Sequence, residues 1–173
     1  MGFTYNDTAY ADMGIKARLT SWQVCGALRN STATITGKYG VADFGADFNY
    51  RKISVSCSIY PKKSFTALVA VLDSISLWLD PSDGLKQLVL DDVPDRYFMA
   101  RLNDKVDCER LLVRSAGNFD LKFFCPDPFA YAVKDEEFTI SAPGTHTVRQ
   151  TRGNIDSYPG YRIKGVISSG VSN

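Results

Sequence analysis

Residues 51–60, RKISVSCSIY, alternate cleanly between apolar and polar side chains. Ile53, Val55, Cys57 and Ile59 point one way and Lys52, Ser54, Ser56 and Ser58 the other, which predicts a half-buried β-strand. Residues 119–125, FDLKFFC, repeat the pattern, with Phe119, Leu121, Phe123 and Cys125 on one face. Residues 96–102, RYFMARL, carry aromatic and apolar side chains on both faces and predict a strand covered on each side. Shorter strand candidates are 15–24, 87–90, 110–114, 137–141, 145–150 and 161–168. One segment changes period. After Pro61-Lys62-Lys63, Ser64 is a suitable N-cap for a helix over FTALVAVLDSISLWLD. Phe65, Leu68, Leu72, Ile75 and Leu79 share one face, and Val69 and Val71 widen it. Asp80-Pro81 and Asp83-Gly84 end the helix, giving a rod of about 24 Å that can lie across a sheet.

Many strands and a single helix predict a mainly β fold, a β-sandwich with one flanking α-helix. A parallel α/β fold would need repeated crossover helices. Residues 25–47, CGALRNSTATITGKYGVADFGAD, suit a long twisted β-hairpin or a mobile loop extending from the sandwich. Residues 141–160 are polar with Pro-Gly at both ends, which sets a first domain at 1–140 and opens something new over 141–173. The pattern of YRIKGVISSGVSN starts as a strand and stops in small polar residues, so the chain is expected to be a fragment of a longer protein.

Composition narrows the function more than the fold. Hydrophobic residues make up 45% of 173, enough for a core, and 20 Lys and Arg nearly balance 19 Asp and Glu. That balance opposes a dedicated nucleic-acid binder or a polybasic membrane-surface protein. No run reaches the ~18 uninterrupted apolar residues of a membrane span, and the N-terminus lacks the features of a secretory signal. Folding in a cytosol is expected. Cys25, Cys57, Cys108 and Cys125 form no C-x-x-C pair and read as small apolar fillers.

No residue set points to catalysis, a metal or a cofactor. His146, the only histidine, lies in a polar loop without a nucleophile context. Asp91, Asp92, Asp95, Asp104 and Asp107 lack calcium-loop spacing and read as a solvated, turn-forming stretch. Gly37-Lys38-Tyr39-Gly40 lacks the frame of a phosphate loop. Arg51-Lys52 and Lys62-Lys63, with Tyr50, Tyr60 and Phe65 nearby, would suit a single-stranded nucleic-acid-binding β-barrel, but solvated strand ends explain them as well. A carbohydrate-binding β-module is the other alternative and would need an exposed aromatic platform. By these arguments alone the chain is a β-rich domain without visible catalysis.

Three stretches carry a family resemblance. The first is Arg51-Lys52-Ile53-Ser54-Val55. The second is the helix with Trp78-Leu79, then Leu88-Val89-Leu90-Asp91-Asp92 and Pro94-Asp95-Arg96-Tyr97-Phe98-Met99-Ala100-Arg101. The third runs from Gly117 through Phe119, Leu121, Phe123 and Cys125 to Asp127-Pro128-Phe129-Ala130-Tyr131. Their order resembles the distal tail proteins of long-tailed phages. The resemblance implies a virion protein of the tail tip, assembled in the bacterial cytoplasm as a homohexameric ring around a channel for tape measure and DNA. Its implied partners are further copies of itself, the tail tube protein, the tail-tip hub or tail-associated protein, the tape-measure protein, and receptor-binding or baseplate proteins. No membrane insertion is implied. It also implies that 141–173, with Asn154-Ile155 and Pro159-x-x-x-Ile163-x-Gly165, open a C-terminal galectin-like domain. A ring needs two complementary patches per subunit. The hairpin is expected to supply one, through Thr34, Ile35, Thr36, Gly37, Lys38, Tyr39, Gly40, Val41 and Phe44.

Overall fold

The computed structural model describes residues 2–111 and 116–165. In chain order the strands are β1 Phe3–Tyr5, β2 Thr8–Ala9, β3 Ile15–Trp22, β4 Leu28–Ala33, β5 Ala42–Phe48 and β6 Arg51–Ile59. Helix α1, Phe65–Trp78, and a 3-10 turn at Pro81–Asp83 follow. The chain continues through β7 Lys86–Leu90, β8 Val93–Leu102, β9 Glu109–Leu111, β10 Ala116–Cys125 and β11 Tyr131–Ala132. Nine strands form one antiparallel sheet in the order β2-β1-β7-β8-β10-β6-β3, with β11 on β8 and β9 on β10; β4 and β5 form a separate two-stranded sheet. Among the described residues the fold is mainly β with one α-helix.

Strand β8 joins the two halves. It pairs with β7 from Val93 to Ala100, then with β10 only through Arg101 and Leu102. Side chains do the rest. Phe3, Tyr5, Leu88, Leu90 and Phe98 of one half share a single core with Ile53, Val55, Cys57, Ile59, Phe119, Leu121, Phe123 and Cys125 of the other. Phe123 meets Phe3 at 5.6 Å and Tyr5 at 5.2 Å between ring centres. The alternation read from β6 and β10 is therefore the core-facing register. The double-sided cover expected of 96–102 is partial: Phe98 and Ala100 are buried, whereas Tyr97 and Met99 are half-buried.

Ser64 caps α1 by accepting from the Ala67 amide at 3.2 Å. Leu68, Ile75 and Leu79 face the core as the periodicity predicts, but Phe65, at the exposed first turn, does not. Trp78 fixes the far end of the helix. Its ring stacks on Phe3 at 5.7 Å, and its Nε1–H donates to the Tyr5 carbonyl at 2.9 Å. By length and apolarity alone Phe65–Asp83 could cross a membrane; in this fold Leu68, Ile75 and Leu79 set one face of the segment into the core.

The chain divides into units of residues 1–134 and 135–173. In the second, residues 135–165 contain neither helix nor strand. This corrects the strands expected at 137–141, 145–150 and 161–165. Alternating side chains make a strand only where a neighbouring strand completes the hydrogen bonds. Residues 112–114 and 166–168, also expected as strand, lie outside the described residues. Within this unit Glu136 accepts from the Thr151 amide at 2.9 Å and from its hydroxyl at 2.6 Å.

Two outcomes test this core. Phe123→Ala should lower the unfolding free energy by about 3–5 kcal/mol, because it leaves a cavity between the halves. Tyr5→Phe should cost less than about 1 kcal/mol, since among the described residues the buried Tyr5 hydroxyl has no hydrogen-bond partner. Urea titrations of both variants measure the difference. The four cysteines are free. Burial pushes the Cys57 and Cys125 thiols up to about 12. Iodoacetamide at pH 8 should therefore alkylate exposed Cys25 at least about 100-fold faster than either, and equal rates in the folded chain would contradict the packing.

Candidate assembly interface

Residues 25–47, read from sequence as either hairpin or loop, form a hairpin. Leu28 pairs with Phe48, Arg29 with Asp47, Asn30 with Ala46, Thr32 with Asp43 and Ala33 with Ala42. The register shifts between Asn30 and Thr32, opposite Gly45. Gly45 takes φ +102°, a conformation glycine adopts without strain, and its amide donates to Asp43 Oδ1 at 2.9 Å. At the tip, Gly37 and Gly40 also have positive φ, and Lys38 N–H donates to the Ile35 carbonyl at 3.1 Å.

Neither strand of the hairpin buries a side chain. Thr34, Ile35, Thr36, Gly37, Lys38, Tyr39, Gly40, Val41 and Phe44 are all exposed, Tyr39 to 101% and Phe44 to 70%. The Arg29–Asp47 ion pair at 3.2 Å is open to solvent and adds little. A two-stranded ribbon with solvent on both faces is marginal alone, and its exposed Phe, Tyr, Ile and Val side chains make it a candidate contact surface.

The roots of the hairpin are built differently. Arg51, half-buried at the start of β6, donates through Nη1 to the Gln23 carbonyl at 2.8 Å and through Nε to the Pro128 carbonyl at 2.7 Å. Its guanidinium lies 5.4 Å from the Phe98 ring centre. Gln23 returns a contact, its Oε1 accepting from the Lys52 amide at 2.8 Å. Ala27 N–H donates to the Tyr50 carbonyl at 2.8 Å, and Asn49 N–H donates to that of Ala27 at 2.6 Å. Of the Arg51-Lys52 pair, Lys52 is exposed as a solvated strand end, whereas Arg51 is occupied by backbone carbonyls.

The signature residues fall into separate groups. Arg51 and Pro128 meet at the hairpin root. Asp127 Oδ1 accepts from the Phe129 amide at 3.0 Å, Oδ2 accepts from the Tyr131 hydroxyl, and Tyr131 stacks on Tyr97 at 5.6 Å. That hydrogen bond raises the Tyr131 pKa, since the carboxylate holds the phenolic proton. Phe119 and Phe123 are core and Trp78 secures α1. Asp91 and Asp92 form the exposed turn before β8, followed by Pro94, while Arg96 pairs with Asp95 at 3.1 Å. Sequence reasoning placed Gln23 in the 15–24 strand candidate and Gly26 in the 25–47 segment but gave neither a role at the root, because their contacts are to residues distant in sequence.

Other surface features offer less. An open trough on β3 and β6 is lined by Lys16, Arg18, Ser56, Ser58 and Asn118. Among the described residues no group of three His, Cys, Asp or Glu is placed to hold a metal ion. His146 Nε2–H donates to the Ala142 carbonyl at 2.8 Å in an exposed segment.

Residues 13–125 match the phage tail protein RIFT-related domain family. The chain belongs to that family. No curated protein sequence matches it. Among solved structures it is similar to the SPP1 Dit (gp 19.1) protein, described as a paradigm of the hub adsorption apparatus in phages infecting Gram-positive bacteria. The TM-score is 0.62 at 18% identity, over 76% of this chain and 51% of that one. The chain thus spans about half the length of that relative and shares its fold. The distal-tail resemblance read from three sequence stretches agrees with both findings.

Proposed function

We propose that this chain is a structural subunit of a phage tail tip, a distal tail protein that closes into a homohexameric ring. Each copy lays its β4–β5 hairpin on the next, giving the two unlike patches that head-to-tail closure requires. The ring joins the tail tube to the tip hub and surrounds the channel through which tape measure and DNA pass. Residues 141–173 open a galectin-like second domain, a reading supported by the length of the SPP1 Dit chain. One observation carries the proposal. A member of a phage tail family holds out a long hairpin whose Tyr39, Val41 and Phe44 have no cover in the subunit.

Replacing residues 34–41 with a short Gly-Ser turn should abolish assembled species in sedimentation velocity. Phe44→Ser combined with Tyr39→Ser should weaken assembly at least about tenfold while the far-ultraviolet circular dichroism stays unchanged. Rings that persist in both variants would remove the hairpin from the interface.

A further inference from the structure

We infer that Arg51 is a positioning residue that sets the stance of the hairpin on the sandwich before any partner arrives. This deepens the assembly reading and takes its importance from it. The reasoning starts from sheet order. Strand β6 lies between β3 and β10. The chain leaves β3 after Trp22, runs out along the hairpin and returns at Tyr50 to begin β6. Arg51 thus stands where the outgoing root, the returning root and the end of β10 converge. Its two donors reach one carbonyl on each side, Gln23 at 2.8 Å and Pro128 at 2.7 Å.

A guanidinium holds its donors in a fixed planar fork, so two carbonyls bridged by it are fixed relative to each other. A lysine ammonium is a point on a flexible stem and cannot bridge the same pair at the same angle.

Two further contacts act in the same direction. A Cβ on Gly26 would lie 2.6 Å from the Pro128 Cβ, so the outgoing root rests directly on the proline ring. On the returning root, Phe48 meets Phe129 edge-to-face at 6.0 Å. The segment Pro128–Phe129 therefore forms a seat and Arg51 ties the hairpin to it. Such pre-orientation lowers the ordering cost of binding, because the arm need not be fixed when a neighbour docks.

Amide hydrogen exchange in the dilute full chain tests this directly. Arg51→Lys should speed exchange at Ala27, Asn49 and the β4–β5 amides by about tenfold or more, leaving β6 and β10 amides near their native rates. Gly26→Ala, which keeps Arg51 but lifts the root from Pro128, should accelerate the same hairpin amides. Unchanged hairpin exchange in both variants would overturn the inference. So would acceleration spread evenly over β6 and β10, which would make Arg51 a general stabiliser. The readout concerns the subunit, so a wild-type chain that never assembles would defeat the ring and leave this result standing. Where assembly occurs, Arg51→Lys should raise the concentration it needs by about tenfold.

Discussion

The packing of Phe3 and Tyr5 between Phe123 on one side and Trp78 on the other holds this structure together. Backbone pairing alone joins the two halves of the sheet weakly, since β8 reaches β10 through only Arg101 and Leu102. Burial of an aromatic side chain contributes about 1.5–3 kcal/mol, and four rings meet at this seam. The same cluster recruits the helix, because Trp78 stacks on Phe3 and bonds to the Tyr5 carbonyl. A three-residue strand thereby governs both the closure of the sheet and the seating of α1.

A closed core on one side leaves the hairpin to the other. Its strands satisfy one another's backbone groups but bury none of their side chains. Such a ribbon gains little from its own contacts, and its stance comes from the root, where Arg51, Gly26 and Phe48 engage the Pro128–Phe129 seat. The arrangement places the buried core in the sandwich and leaves the side chains of the arm exposed. It also explains why residues far apart in the sequence, at 51 and 128, belong to one device.

Sequence showed the core strands well and the root poorly. In β6 and β10 every second residue is apolar over a long run, and one face of a sheet accounts for that pattern. The helix announced itself through Ser64, its periodic stripe and the Pro and Gly beyond it. Strand β1 escaped notice because three residues cannot display a period, although Phe3 and Tyr5 are among the most buried side chains. Arg51 was visible as a residue and invisible as a clamp, since its acceptors are carbonyls that any residue type could supply. Residues 137–141 erred in the opposite sense: Phe138 and Ile140 alternate with polar neighbours, yet no strand lies beside them.

The proposed role requires this chain to close into rings. Light scattering of the purified chain over a range of concentrations, followed by negative-stain imaging, reads ring closure. A homohexameric ring gives a species close to six chain masses with a central hole. A chain that stays monomeric at every concentration, alone and with a phage tail tube protein added, would overturn the proposed ring.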